Sequence, residues 1–325
     1  MQTMKALIHG AYGSPDDVLE LRDIVTPAIK DDEVLVEVHA AAIAGDDWHL
    51  MRGEPYAARL VTGLRKPRHH VPGRDVAGRV RAVGSAVTEL QPGDEVFGWC
   101  DGAFAEHVAV PAANLERKPA NLTHAQAAVV PISGFTALQA VRDVGRVHPH
   151  QRVLVIGASG GVGTFAVQIA KASGASVTGV CSTTNTDLVA SIGADHVIDY
   201  TREDFARHSR RYDVIIDLVG NRSLADLRHV LTRRGTLVLV GATGGRWCKG
   251  THRFLGAFVL SPFTRQRLRP LIHRDRKRDL ADLRELIEAG RLTPVVSAHF
   301  SLAELPEAIR HFANGHARGK VAITV

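Results

Sequence analysis

Sulfur is scarce in this chain of 325 residues. It has three cysteines, Cys100, Cys181 and Cys248, too far apart for a disulfide framework or a zinc ribbon, so a reducing compartment is expected. The opening residues, MQTMKALIHGAYG, carry no positively charged segment leading into an apolar run, so a secretory leader is not expected and a cytoplasmic location is. Long hydrophobic runs are missing too. The stretch from Phe254 to Phe263 is roughly half of what a bilayer span needs. Neither sign of charge dominates, with 40 Lys and Arg against 34 Asp and Glu. The resulting excess of +6 favours anionic ligands but is too diffuse to indicate a nucleic-acid partner.

What is present is ordinary for a globular protein. Hydrophobic residues make up 45% and charged residues 23%, and the length suggests two domains. From Met4 to about Leu122 the chain reads as short strands broken by turns. Glu33 to Ala41 alternates polar and apolar residues, and Pro72-Gly73, Gly84-Ser85 and Pro92-Gly93-Asp94 punctuate the sequence. After Thr123 the pattern changes to alternating strands and helices. Strands are expected at Arg152–Gly157, Ser176–Cys181, His196–Tyr200, Tyr212–Val219 and Thr236–Gly241, with helices at Gly161–Ala172, Asp187–Ile192 and Ser223–Leu231. Such alternation means a parallel sheet covered on both faces. Helices at Asp279–Ala289 and Leu305–Asn314 and strands at Pro294–Ala298 and Lys320–Val325 close the chain. The last strand is expected to return to the first domain.

The strongest chemical signal is RVLVIGASGGVGTFAVQIAK, Arg152 to Lys171. A buried strand enters a Gly-rich turn that opens a helix, the context a dinucleotide site requires. Aligned to G-x-G-x-x-G, the key positions are Ala158, Gly160 and Gly163. Gly160 lets a pyrophosphate approach the backbone, Gly163 lets the helix pack on the strand, and the positive helix end holds phosphate. No Gly-Lys-Ser/Thr follows, which excludes a Walker-type loop. The second strand ends in Val180-Cys181-Ser182-Thr183-Thr184-Asn185. An NAD site usually places Asp or Glu there; here hydroxyls and an amide stand instead, so NADPH is expected. Asp187 suits the first turn of the next helix. A neutral turn indifferent to the phosphate is the open alternative.

Several segments together resemble the medium-chain dehydrogenase/reductase superfamily, and most of all its zinc-free quinone oxidoreductase branch. They are PGRDVAGRV (Pro72–Val80), LQPGDEVFG (Leu90–Gly98), GAFAEHVAVPAANLERKP (Gly102–Pro119), SGFTALQAV (Ser133–Val141), ASGGVG (Ala158–Gly163), SIGADHVIDY (Ser191–Tyr200) and GKVAITV (Gly319–Val325). The resemblance implies an α/β protein: a doubly wound Rossmann sheet plus a GroES-like, mostly β catalytic domain, with the active site between them. The expected divisions are a catalytic domain over 1–123, an NADPH-binding domain over 124–265 and a return segment over 266–325. By the same resemblance Ser159, Gly161 and Val162 hold the pyrophosphate beside Gly160, and Ser182, Thr183 and Tyr200 surround the 2′-phosphate. Thr136 lies near the nicotinamide, whose pocket is lined by the loops Asp217–Gly220, including Val219, and Val240–Ala242, including Gly241. A homodimer follows by analogy.

Zinc is the fork within that superfamily. The metal branch uses Cys-Gly-x-Asp and Gly-His-Glu turns; here Ala44-Gly45-Asp46-Asp47 and Gly73-Arg74-Asp75 stand in their places. Thiolate and imidazole are both gone and arginine occupies a ligand position, so no metal is expected. His69-His70 lacks a third ligand and reads as surface. Without metal, catalysis must rest on orientation and on hydrogen bonding to a developing oxyanion. Tyr56 is the first candidate donor, with packing at the cleft mouth as its alternative role. Asp47 is the second, set to order its loop or to move a proton, and His49 has a suitable free pKa, with simple exposure on a loop as its alternative. The substrate class is a small quinone, enone or carbonyl. Quinone oxidoreductases carry Asn-Pro where Ala44-Gly45 stands, so a second reading, an NADPH-binding sensor or scaffold, stays open. The run FLGAFVLSPFTRQRLRPLIHRDRKR, Phe254 to Arg278, is either a lid or membrane-surface contact or a dimer-facing apolar segment with a solvated basic connection.

Overall fold

Runs of β-branched residues bounded by Gly and Pro turns generate most of the strands. In the computed structural model, which describes residues 2–241, 250–315 and 318–325, the chain runs through β1 (Thr3–His9), β2 (Leu19–Val25), β3 (Glu33–Ile43), β4 (Asp75–Val83), β5 (Glu95–Trp99), β6 (His107–Pro111) and β7 (Leu115–Arg117). Then follow β8 (Arg152–Ile156), β9 (Ser176–Cys181), β10 (His196–Asp199), β11 (Tyr212–Asp217), β12 (Leu231–Leu239), β13 (Arg267–Pro270), β14 (Val296–Ser301) and β15 (Lys320–Thr324).

Two units emerge. The first holds residues 1–133, 275–288 and 294–325, and the second holds 134–274 and 289–293. These limits differ from the expected divisions at 123/124 and 265/266. The short helix His124–Ala128 packs on β3 and β4, and β13 adds to the parallel sheet through Leu237↔Leu268.

The first unit is a β domain. Its main sheet runs β14-β15-β3-β4-β5-β7, with β6 also on β3, and β1 and β2 form a separate hairpin. The final strand pairs antiparallel with β3, Val321 opposite Ile43, so the chain end closes the sheet that the N-terminal strands began. Val34, Val36, Val76, Phe104, Leu305, Ile309 and Ile323 share its core.

The second unit is a six-stranded parallel sheet of order β10-β9-β8-β11-β12-β13. Sequence order therefore reverses between β8 and β11, and ligands of such sheets bind at the carboxyl ends of the strands flanking that reversal. The strands are buried almost throughout, as parallel strands covered on both faces must be. Leu154, Val180, Tyr212, Ile215, Leu237 and Leu268 carry the core through the sheet. No helix among the described residues is long and apolar enough to cross a membrane.

Candidate functional site

The Gly-rich turn leaves β8 and opens the helix Gly161–Ala172, with Gly160 at its N-cap in extended conformation. Three glycines make the turn possible, each for a different reason. Gly157 has φ of +85°, a left-handed conformation that other residues seldom adopt. At Gly163 an added Cβ would lie 2.0 Å from the Gly157 carbonyl oxygen, so the helix touches the strand end backbone to backbone. At Gly160 the nearest atom would be 3.4 Å away, leaving an open backbone surface. The first-turn N–H groups of Gly161 and Val162 precede any intrahelical acceptor, and with Ser159 they are partly accessible. This open cradle of amides at a helix N-terminus, beside the sheet's reversal point, fits a pyrophosphate.

The end of β9 supplies the neighbouring group. Ser182 is half-buried, Thr183 and Thr184 are exposed and Tyr200 is 56% exposed. β9 itself carries no carboxylate there, but β10 does. Thr183 donates its hydroxyl to Asp199 Oδ2 at 2.5 Å, and Thr201 donates N–H and Oγ1–H to Oδ1 at 2.9 and 2.7 Å. These hydrogen bonds, that from Thr183 first, hold the Asp199 carboxyl below the usual carboxylate range. The turn is therefore not free of acid, and the Thr183 hydroxyl is already engaged.

Beyond β11, Asp217 is fully buried and paired with Arg253 at 2.6 Å. Its other oxygen accepts the Val219 and Gly220 N–H groups, and its carbonyl accepts those of Val240 and Gly241. One aspartate thus organises both loops expected to line a nicotinamide pocket. A Cβ on Gly241 would sit 2.1 Å from the Leu218 carbonyl oxygen, which is how closely those loops approach. Thr136 is buried, and Ala242 lies outside the described residues.

The first unit holds the other candidate groups. Asp47, in the helix Gly45–Arg52, accepts the Ala44 N–H at 2.8 Å and so fixes the start of that helix. It also lines a cavity of about 350 Å³ together with Leu50, Thr62, Pro72, His69 and Arg74. Burial pushes the Asp47 carboxyl up to about 7, with the nearby charges of Asp75 and Asp46 adding to the effect and the Ala44 hydrogen bond and Lys320 opposing it. Tyr56 is half-buried in a turn under the Arg59 guanidinium, 4.7 Å from its ring, and is not among the residues lining the cavity. Arg74 reaches Asp275 at 2.6 Å and Asp46 at 3.5 Å. Beneath the helix lies a buried pair that links four distant segments. Lys320 donates to Asp75 Oδ2 at 3.0 Å and to the Ile43 carbonyl at 2.8 Å, while Asp75 Oδ1 accepts the Ile132 N–H at 2.8 Å.

With this geometry in place, comparison with known proteins is specific. Residues 30–120 match the family model for the alcohol dehydrogenase GroES-like domain, and residues 192–323 match that for zinc-binding dehydrogenases. A mitochondrial NAD(P)H oxidoreductase of Bos taurus is 35% identical across 99% of this chain and 89% of its own length. A chloroplastic NADPH-dependent alkenal/one oxidoreductase of Arabidopsis thaliana is 34% identical across 98% of this chain and 79% of its own. The structure of a quinone oxidoreductase from Coxiella burnetii superposes with a TM-score of 0.84 at 30% identity, covering all of both chains.

The chain belongs to the medium-chain dehydrogenase/reductase superfamily. Within it this chain is quinone oxidoreductase-like. Against that background its own groups stand out. Arg74, where the superfamily's metal branch has a ligand, is tied to two aspartates. Among the described residues no three His, Cys, Asp or Glu side chains converge on a common point. Ala44 is 2% exposed and Gly45 has open space where a Cβ would project. Sequence reading missed Gly157, Asp199, the Asp217–Arg253 pair and the Asp75–Lys320 pair. Only Gly157 had a local signal, being the glycine that immediately follows the strand. The other three depend on residues brought together by the sheets.

Proposed function

We propose that this protein is an NADPH-dependent oxidoreductase that reduces a small quinone, enone or carbonyl compound without zinc. The observation that carries the reading is the amide cradle at Ser159–Val162, set at the reversal point of a six-stranded parallel sheet. When bound there, a nicotinamide dinucleotide supplies the hydride. Ser159, Gly160, Gly161 and Val162 would hold its diphosphate, Thr136, Val219 and Gly241 its nicotinamide end, and Ser182, Thr183 and Tyr200 its adenosine end.

The preference for the 2′-phosphate is supported by the hydroxyls of Ser182 and Thr184 and the amide of Asn185. The Asp199 carboxylate is covered by Thr183 and Thr201 and lies 3.4 Å from Arg202. Independence from zinc is supported by the donor set. Arg74 is a fixed cation, and Cys100 and Cys181 are both buried, with no cluster of three His, Cys, Asp or Glu around either among the described residues. Asp47 is the group able to hold a proton near neutral pH beside the apolar cavity, a property general acids need. Tyr56, the first candidate donor by sequence, takes second place here because it does not line the cavity. The exposed side chains of Leu255, Phe258, Val259 and Phe263 support a homodimer, and the composition supports a cytoplasmic location.

Titration of the purified chain with NADPH and NADH, followed by oxidation assays with 1,2-naphthoquinone, enones and aldehydes, tests this reading. NADPH should bind at least tenfold more tightly than NADH, and Ser182→Asp should erase that preference by placing a charge beside the 2′-phosphate. Failure to bind either nucleotide overturns the assignment, and stoichiometric zinc overturns the metal-free part. The small Ala44-Gly45 pair favours a second reading, a nucleotide-binding sensor. Tight NADPH binding with no oxidation across the panel would establish that one instead.

A further inference from the structure

The opposite end of the parallel sheet, at the amino ends of its strands, carries a basic cleft away from the Gly-rich turn. It has a volume of about 350 Å³, and its walls include Arg146, Arg234 and Arg267 with His148, Gln151 and Thr236. Gln151 precedes β8, Thr236 lies in β12 and Arg267 begins β13. Five residues of β8 separate this end from the Gly-rich turn, about 15 Å along the strand.

Local backbone shape puts the arginines there. Tyr212 of β11 pairs with Leu231, and Val214 already pairs with Thr236, so Thr232–Gly235 is looped out of the ladder and projects Arg234. On the facing wall Arg146 has φ of +48°, and His150, four residues on, has φ of +68°. These are the only non-glycine residues with positive φ among the described residues, and such outliers cost stability and collect at binding sites. Two departures from regular backbone therefore converge on one cleft.

The charges there are uncompensated. Some arginines of this unit are paired, Arg152 with Asp213, Arg222 with Asp204 and Arg253 with Asp217; others on its surface are not, and what distinguishes the cleft is that three unpaired ones line one cavity. Arg146, Arg234 and Arg267 have no ion-pair partner among the described residues. Asp213 is the one acid in the cleft wall, and its Oδ2 is already held by the Arg152 N–H at 2.9 Å and lies 3.6 Å from Arg152 Nε. Guanidinium groups are forks that match phosphate oxygens in pairs.

We propose that this cleft is a binding site for a small phosphorylated anion, separate from the nicotinamide nucleotide site. The full-length chain, presaturated with NADPH, is titrated calorimetrically in chloride buffer with inorganic pyrophosphate and, separately, with a sugar phosphate. These two probes distinguish a free inorganic anion from a phosphorylated metabolite. One saturable event per chain is expected, weakened at least tenfold in R234E/R267E, with NADPH affinity unchanged within twofold. Both positions are exposed, and the neutral R234Q/R267Q gives the same comparison should charge reversal disturb folding. No saturable binding by either probe overturns the proposal. So does binding that both variants leave unchanged, since the anion would then be held by something other than these arginines. Arginine-dependent binding of duplex DNA without binding of either small probe also overturns it.

Discussion

The two units build their chemistry by opposite means. In the parallel-sheet unit the candidate cofactor site is made of backbone: Gly157, Gly160 and Gly163 within seven residues, with N–H groups as the ligating atoms. In the β unit the candidate site is made of side chains from distant segments, with Asp47 set above an Asp75–Lys320 pair whose members are 245 residues apart. A backbone site tolerates many side chains but almost no Cβ where two main chains touch. A side-chain site tolerates changes of shape but not the removal of one charge from a buried pair. The contrast makes the two sites fail differently, and it can be broken experimentally.

The largest expected effect separates two glycines of one motif. Gly163→Ala places a carbon 2.0 Å from the Gly157 carbonyl oxygen and 2.8 Å from Ala158 backbone atoms. None of these is a flexible side chain, so the strand and helix must separate. The expected result is loss of more than about 4 kcal/mol of stability, the range reserved for severe core disruption, seen as a collapse of the thermal transition. Gly160→Ala meets nothing closer than 3.4 Å. It should fold with its melting temperature little changed, yet bind NADPH at least tenfold more weakly because the methyl group stands where the diphosphate must approach. Equal melting temperatures for the two variants would show that the cradle is not held by backbone contact.

The same contrast explains which parts of the molecule are legible in the amino-acid sequence. Features set by local periodicity are: the helix over Gly161–Ala172, the strand over Ser176–Cys181 and the return of the last strand to the first sheet. The cradle is legible for the same reason, although aligning the motif on Ala158 misses the positive-φ role of Gly157, one residue earlier. Strand β13 escapes because Arg-Leu-Arg-Pro hardly looks like a strand. It lies at the sheet edge, where only Leu268 turns into the core and the flanking arginines face solvent. The domain limit moves with it, from 265 to 274. Asp199 escapes because the end of β9 holds no carboxylate of its own, and this one arrives from the adjacent strand. No local pattern announces an ion pair between strands β4 and β15.

That pair supplies the second prediction. Asp75 is fully buried and Lys320 nearly so. Burial raises the Asp75 pKa and the Lys320 ammonium opposes the rise. Lys320→Met removes the cation and leaves the carboxylate without its counter-charge, which costs about 3–5 kcal/mol for buried pairs. Asp75→Asn combined with Lys320→Met should recover much of that loss, since the stranded charge is gone. Chemical denaturation of the two variants checks both statements. A single variant as stable as the parent would show that the pair contributes nothing to holding the segments together.

The smallest effect is on Asp47, where the two kinds of site can be told apart by pH. With its carboxyl raised from 3.8 to about 7, the folded state keeps a proton that the unfolded state releases. Between about pH 4 and 7 the folded chain therefore binds more protons, and stability falls as pH rises through that window. Below it the contribution is fully present, and above it the loss is complete. Asp47→Asn keeps an oxygen able to accept the Ala44 N–H but cannot ionise. Its stability should vary less with pH over the same window, as measured by denaturant midpoints at half-unit steps. If Asp47 also donates the proton to the reduced substrate, kcat should drop about 100-fold and the activity limb near pH 7 should vanish. NADPH affinity should be unchanged, because the proposed diphosphate cradle belongs to the other unit. A flatter stability profile with kcat intact would leave Asp47 as a helix-ordering residue and move the search for the donor to Tyr56.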